Sequence, residues 1–181
     1  MLIEKNNSCL LMVDVQQKLT PLVMEHEKLV DNCLWLLSVA KELNIATLIT
    51  EQYSKGLGHT VDKLQPLIKD LPIIDKVTFS VQADLSCAQH LTQLSKNQII
   101  VFGMETSVCV LQTVLELLKA NKQVFVVADA VSARHKLDHD LALERMKIAG
   151  AHIVSKEMVL FEWLRTSAAE NFKDLSKKYL Q

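Results

Sequence analysis

The sequence predicts an α/β fold, a parallel sheet covered by helices on both faces, and three observations carry that expectation. Short, almost wholly apolar runs alternate with longer segments whose apolar residues recur at helical spacing. The runs lack the polar alternation of a sheet with one wet face, so each strand needs cover on both sides. The polar residues that do punctuate them fall at the carboxyl ends of the runs, where an open parallel sheet forms its ligand crevice.

Element by element, CLLMVDV at 9–15 reads as the first strand and delivers Asp14 to its end. Residues 27–43 have helical spacing, and IATLIT at 45–50 is a second buried strand. A short helix is expected over 61–68, broken by Pro72 before the extended pair Ile73 and Ile74. A helix at 85–94 leads to QIIVF, a strand at 98–102. Gly103 marks a turn, and a helix follows over 106–121 with Thr106 or Ser107 as its cap. VFVVA at 124–128 is a strand, 137–149 a helix closed by Gly150, 151–154 a last short strand, and 156–180 helical. Crossovers between parallel strands should be right-handed. No repeat, linker or low-complexity stretch interrupts residues 1–181, which are read as a single domain.

Composition narrows the function. A formal net charge of −1 supplies no bulk field for nucleic acid or an anionic membrane, so neither is expected as a partner. No apolar stretch reaches the roughly 18 residues of a membrane span. MLIEKNNSCLLMVDV lacks a basic region followed by a hydrophobic segment and cleavage site, which predicts a cytoplasmic protein. Cys9, Cys33, Cys87 and Cys109 are widely spaced and suit free thiols better than a disulfide framework or a zinc site. With four glycines in all, no GxGxxG turn exists for a dinucleotide, and no cofactor is expected. A hydrophobic fraction of 49% with only three prolines and four glycines predicts a buried interface in a homo-oligomer.

The crevice edge collects Asp14, residues 51–60, Lys76, residues 103–109 and residues 129–134. Within it, Asp14, Lys76 and Cys109 form a coherent chemical set. Cys109, in VFGMETSVCVLQTV, falls in the first turn of a helix, where unpaired N–H groups and the helix dipole favour a thiolate. Asp14 can accept the thiol proton if partial burial raises its pKa, and Lys76 can stabilise the thiolate and orient the carboxylate. Backbone N–H groups at the helix start can hold a tetrahedral oxyanion. These parts suit acyl transfer through a thioester to a small-molecule substrate.

The stretches LLMVDVQ, TEQYSKGLGHT, DKVTFS and FGMETSVCVLQT, in that order, resemble the isochorismatase-like (cysteine hydrolase) family, over nearly the whole chain to about Glu162. TEQYSKGLG is closest to the isochorismatase-domain-containing branch. The resemblance implies a six-stranded parallel sheet in a Rossmann-like, three-layer α-β-α sandwich. It implies a catalytic triad at Asp14, Lys76 and Cys109, a cis peptide bond between Met104 and Glu105, and an oxyanion hole from the Glu105 and Cys109 N–H groups. Nicotinamidases of the same superfamily bind a divalent metal through an Asp-x-His pair and further histidines after the second strand. This chain has Glu51, Gln52 and Tyr53 there with only His59 nearby, too few for a site that wants about three protein ligands, so no metal is expected. Glu105 stands where many relatives carry a small residue, so its side chain can crowd or charge the pocket.

Gln16, Glu51, Tyr53, Phe79 and Thr106 are the candidate pocket residues, and Trp163 is assigned to core or interface. Asp129 is expected to bond N–H groups of its own following turn. Cys9, Cys33 and Cys87 are read as packing residues, and His135, His139 and His152 as too scattered for a ligand set. The expected activity is hydrolysis of an amide or related C–N bond. Vinyl ether hydrolysis, or an interaction protein with a vestigial site, are the alternatives.

Overall fold

A computed structural model describes residues 1–180. Six strands pair in parallel throughout: β1 (Ser8–Val13), β2 (Ala46–Gln52), β3 (Ile73–Lys76), β4 (Gln98–Met104), β5 (Gln123–Ser132) and β6 (His152–Val154). Their spatial order is β3-β2-β1-β4-β5-β6. Chain order therefore reverses between β1 and β4, and that switch point is where an open α/β sheet parts its loops to leave a crevice.

The helices are α1 (His26–Glu42), α2 (Ser54–Leu57), α3 (Gln65–Ile68), α4 (Leu85–Gln93), α5 (Leu111–Lys119), α6 (Lys136–Ile148), α7 (Lys156–Leu164) and α8 (Phe172–Tyr179). Strand periodicity of two divides the core into two layers. Leu10, Met12, Ile100, Phe102, Phe125 and Val127 face α1, α7 and α8, where Leu36, Trp163 and Leu175 meet them. The alternate residues Cys9, Leu11, Val13, Ile99, Val101, Val124 and Val126 face α4, α5 and α6. Every residue of β1 and β4 is buried, which is why both read as apolar without alternation. The result is the expected three-layer α-β-α sandwich.

Several boundaries differ from the sequence reading. β2 and β4 each continue two residues further, and β5 runs on to Ser132 across a register shift opposite Val101 and Gly103. The helix expected at 61–68 shrinks to α3, with Pro66 in its first turn. The segment 106–121 is a π-helical turn, Thr106–Val110, followed by α5. The C-terminal stretch is two helices rather than one, broken where Arg165 adopts φ 64°. α8 then docks on α1, with the Trp35 indole N–H donating to the Tyr179 carbonyl at 3.0 Å. Among the described residues, no helix is long and apolar enough to cross a membrane.

Gly103 lies at the switch point with φ 111°, and a Cβ there would stand 2.2 Å from the Val13 carbonyl oxygen. Only glycine permits that backbone and that approach of β4 to β1.

Candidate active site

Three sheet strands place the charged residues. Asp14 follows β1 in the left-handed region, φ 53°, with its N–H donating to the Thr50 carbonyl at 3.1 Å. Lys76 ends β3 in register with Gln52 of β2, so its side chain reaches across the end of β2 to Asp14. Its ammonium donates to Asp14 Oδ2 at 2.7 Å, and the Thr50 hydroxyl donates to Oδ1 at 2.7 Å. Gln52 Oε1 at 2.7 Å and the carbonyls of Thr78 and Phe79, each at 3.1 Å, complete the shell around the ammonium. Asp14 and Lys76 are 0% and 1% exposed. A buried ion pair persists only when its remaining hydrogen-bonding capacity is met, and here four protein groups beyond the pair meet it.

Cys109 comes to the same place from β4. The Met104–Glu105 peptide bond is cis, as the resemblance implied, and the π-helical turn follows. The Glu105 carbonyl accepts the N–H groups of Val108 and Val110, each at 3.1 Å, which closes the turn around Cys109. The sulfur is nearly buried, and both Asp14 and Lys76 act on it electrostatically. Burial pushes the thiol well above its ordinary range, and the Asp14 carboxylate adds to the rise. Lys76 opposes them, and Glu105 adds a smaller upward push. The sequence reading expected the helix start to favour a thiolate. Loss of solvent and the neighbouring carboxylate work against that preference, and the one buried ammonium only partly opposes them.

Thr106 and Ser107 do not cap this helix through their side chains. The fully buried Thr106 hydroxyl lies 3.0 Å from His139 Nδ1 on α6 instead. The scatter of histidines in the sequence hid that contact. Glu105 is held by Arg134, whose Nε and Nη2 donate to its two carboxylate oxygens at 2.9 and 3.0 Å.

Two candidate pocket residues have another role. Gln16 is fully buried, its amide donating to the carbonyls of Gln52 at 3.0 Å and Gly58 at 2.6 Å while its oxygen accepts the Gln52 N–H. Glu51 accepts the N–H and hydroxyl of Thr60 at 2.7 and 2.9 Å and faces His59 Nδ1 at 2.9 Å. Both brace the loop after β2, and their polar atoms are already engaged by protein. Tyr53 and Phe79 remain half-exposed beside the ion pair: the Tyr53 N–H donates to the Lys76 carbonyl, and the Phe79 carbonyl accepts from the Lys76 ammonium.

Asp129 accepts the Lys156 N–H at 2.9 Å, tying down the start of α7 rather than its own turn. Trp163 is core, its indole donating to the Ser8 hydroxyl. Cys9, Cys33 and Cys87 are buried free thiols. Among the described residues, no group of three or more His, Cys, Asp or Glu is arranged to hold a metal. A cavity of about 320 Å³ between the starts of α1 and α6 is lined by Lys28, Ser132, Lys136 and His139, but by none of Asp14, Lys76 or Cys109.

Thr50 and Gln52 were missed by the sequence reading. Strand register places them: Thr50 pairs with Val13, the residue before Asp14, and Gln52 pairs with Lys76.

The Isochorismatase domain family model matches residues 8–158. Isochorismatase domain-containing protein 2 of Danio rerio is 34% identical over 170 residues, covering 94% of this chain and 85% of its own. The structure of MAR1 ribonuclease from Caenorhabditis elegans superposes with a TM-score of 0.93 at 34% identity, covering all of this chain and 93% of the other. The YcaC gene product of Escherichia coli, described as an octameric hydrolase of unknown specificity, gives a TM-score of 0.93 at 27% identity over 99% of this chain and 91% of its own.

Proposed function

The chain belongs to the isochorismatase family, and from that footing we propose that it hydrolyses an amide or related C–N bond of a small molecule, with Cys109 as nucleophile. The single observation that carries this reading is the buried Asp14–Lys76 ion pair set against the Cys109 thiol. A thiol whose pKa burial pushes up needs a base at the moment of attack, and Asp14 is the carboxylate in place. As sulfur bonds to the substrate carbonyl carbon, the thiol proton passes to Asp14. The carbonyl oxygen gains the negative charge and takes donors from the Glu105 and Cys109 N–H groups. Collapse of the tetrahedral adduct breaks the C–N bond, and Asp14 returns the proton to the departing nitrogen. Water, deprotonated in turn by Asp14, attacks the thioester and releases an acid and the free thiol. Lys76 keeps Asp14 oriented throughout.

Vinyl ether hydrolysis is the second reading. It needs a proton donor rather than a nucleophile, and the upward push that burial and Asp14 give the thiol favours keeping it. RNA, on which the nematode neighbour's name says that protein acts, suits this chain poorly, because its formal net charge is −1. Four free thiols support a reducing compartment such as the cytoplasm. Self-association is supported by an apolar stripe on α6, where Leu137, Leu141 and Ile148 are 68, 54 and 79% exposed on one face.

The test is release of ammonia or amine from a panel of amides and carbamates, with Cys109→Ala as control. Turnover that Cys109→Ala abolishes, in a protein of unchanged circular dichroism, supports the nucleophile. Turnover that survives the substitution removes Cys109 from the mechanism.

A further inference from the structure

We propose that Arg134 is a positioning residue for the cysteine site, acting through Glu105: its guanidinium fork fixes and neutralises a carboxylate that the fold places beside the nucleophile. The inference rests on Cys109 being the reactive thiol.

Glu105 occupies an awkward place. It is the residue whose carbonyl closes the Cys109 turn, so its backbone cannot move away from the sulfur without opening that turn. Its side chain is only 13% exposed, which leaves the carboxylate poorly solvated unless the protein supplies donors. Arg134, in the β5–α6 connection, supplies two parallel N–H donors, the bidentate arrangement that a guanidinium makes with a carboxylate. Arg134 is half-exposed, so it reaches in from the rim and touches neither Asp14 nor Lys76.

The groups facing Cys109 can be named element by element. Asp14 comes from the end of β1, Lys76 from β3, Glu105 from the start of the π-helical turn, and Arg134 stands behind Glu105. Cys87 on α4 senses the same Asp14 and Lys76 charges, and His139 on α6 meets Thr106 in the turn. Two carboxylates thus bear on the sulfur against one buried ammonium, and both disfavour its ionisation. The Arg134 charge offsets the second carboxylate. Without it, Glu105 would act as an uncompensated negative charge on a thiol that must become negative or bond to a carbonyl.

The test is the rate of iodoacetamide labelling at Cys109, followed by mass spectrometry from pH 6 to 10, in the parent, Arg134→Gln, Arg134→Lys, Glu105→Gln and the Arg134→Gln/Glu105→Gln double variant. Arg134→Gln should slow labelling roughly threefold to tenfold at each pH below the thiol's midpoint, as one unit of thiol pKa is a tenfold change in thiolate. Arg134→Lys, which keeps the charge and loses the fork, should fall between that variant and the parent. The double variant should return towards the parent, because the charge that Arg134 offsets is gone. A purely structural role predicts the opposite: the double variant would label as slowly as Arg134→Gln. That result, or Arg134→Gln labelling as fast as the parent across the pH range, overturns the proposal. Failure of the nucleophile reading looks different, since Cys109 would then label no faster than Cys9 or Cys33 in the parent itself.

Discussion

Replacing Lys76 by methionine removes the ammonium while keeping a side chain of nearly the same length. In the parent, four oxygens converge on Nζ: Asp14 Oδ2, Gln52 Oε1 and the carbonyls of Thr78 and Phe79. The substitution strands Asp14, which is 0% exposed, as a buried carboxylate with only Thr50 still donating to its side chain. Breaking a buried pair by deleting one partner costs about 3–5 kcal/mol, a large share of the roughly 5–15 kcal/mol that holds a domain folded. At about 2–4 °C per kcal/mol for a chain of this size, the melting temperature should fall by roughly 6–20 °C. Urea denaturation at pH 7 gives the same loss as a lowered midpoint. Adding Asp14→Asn to Lys76→Met removes the stranded charge and should recover a substantial part of the loss. A Lys76→Met protein within about 1 kcal/mol of the parent would refute the reasoning. So would a double variant no more stable than Lys76→Met, since the pair would then not be an ionised unit.

Two further outcomes follow from the same geometry. Gly103→Ala should cost about 3 kcal/mol or more, read as a lowered melting temperature, because the new Cβ meets the Val13 carbonyl at 2.2 Å as well as requiring φ 111°. Gly150→Ala, at a similar φ of 108° but with nothing within 4 Å, should cost visibly less; equal losses would show that the β1–β4 approach is not the constraint. Light scattering should report a mass above one chain, and Leu137→Glu with Leu141→Glu should lower it, whereas a monomeric parent rules out self-association through α6.

The sheet was legible because its strands are buried on both sides. CLLMV, LIT and QIIVF have no polar residue facing solvent to confuse the pattern, so their place in the chain fixes their place in the core. Asp14, Lys76 and Cys109 were legible for a related reason: strand ends in a parallel sheet share one edge, and chemistry-bearing residues there stand out. Long-range side-chain pairing was not legible. Nothing local says that Gln16 clamps Gln52, that Thr106 meets His139, or that Glu105 meets Arg134, since each partner is 29 to 36 positions away. Strand register is the missing information, and it also explains why Glu51 and Gln16 looked available to a ligand. The upward push on the Cys109 thiol was not legible either, because a helix start is visible in sequence whereas desolvation is not.

The crowding around the Lys76 ammonium bears on inhibitor chemistry. An ammonium has three hydrogens, and four protein oxygens already compete for them. An acceptor group designed to reach that amine would have to displace a partner it cannot improve upon. Electrophiles directed at the Cys109 sulfur are the better starting point for a probe that tests whether this thiol reacts.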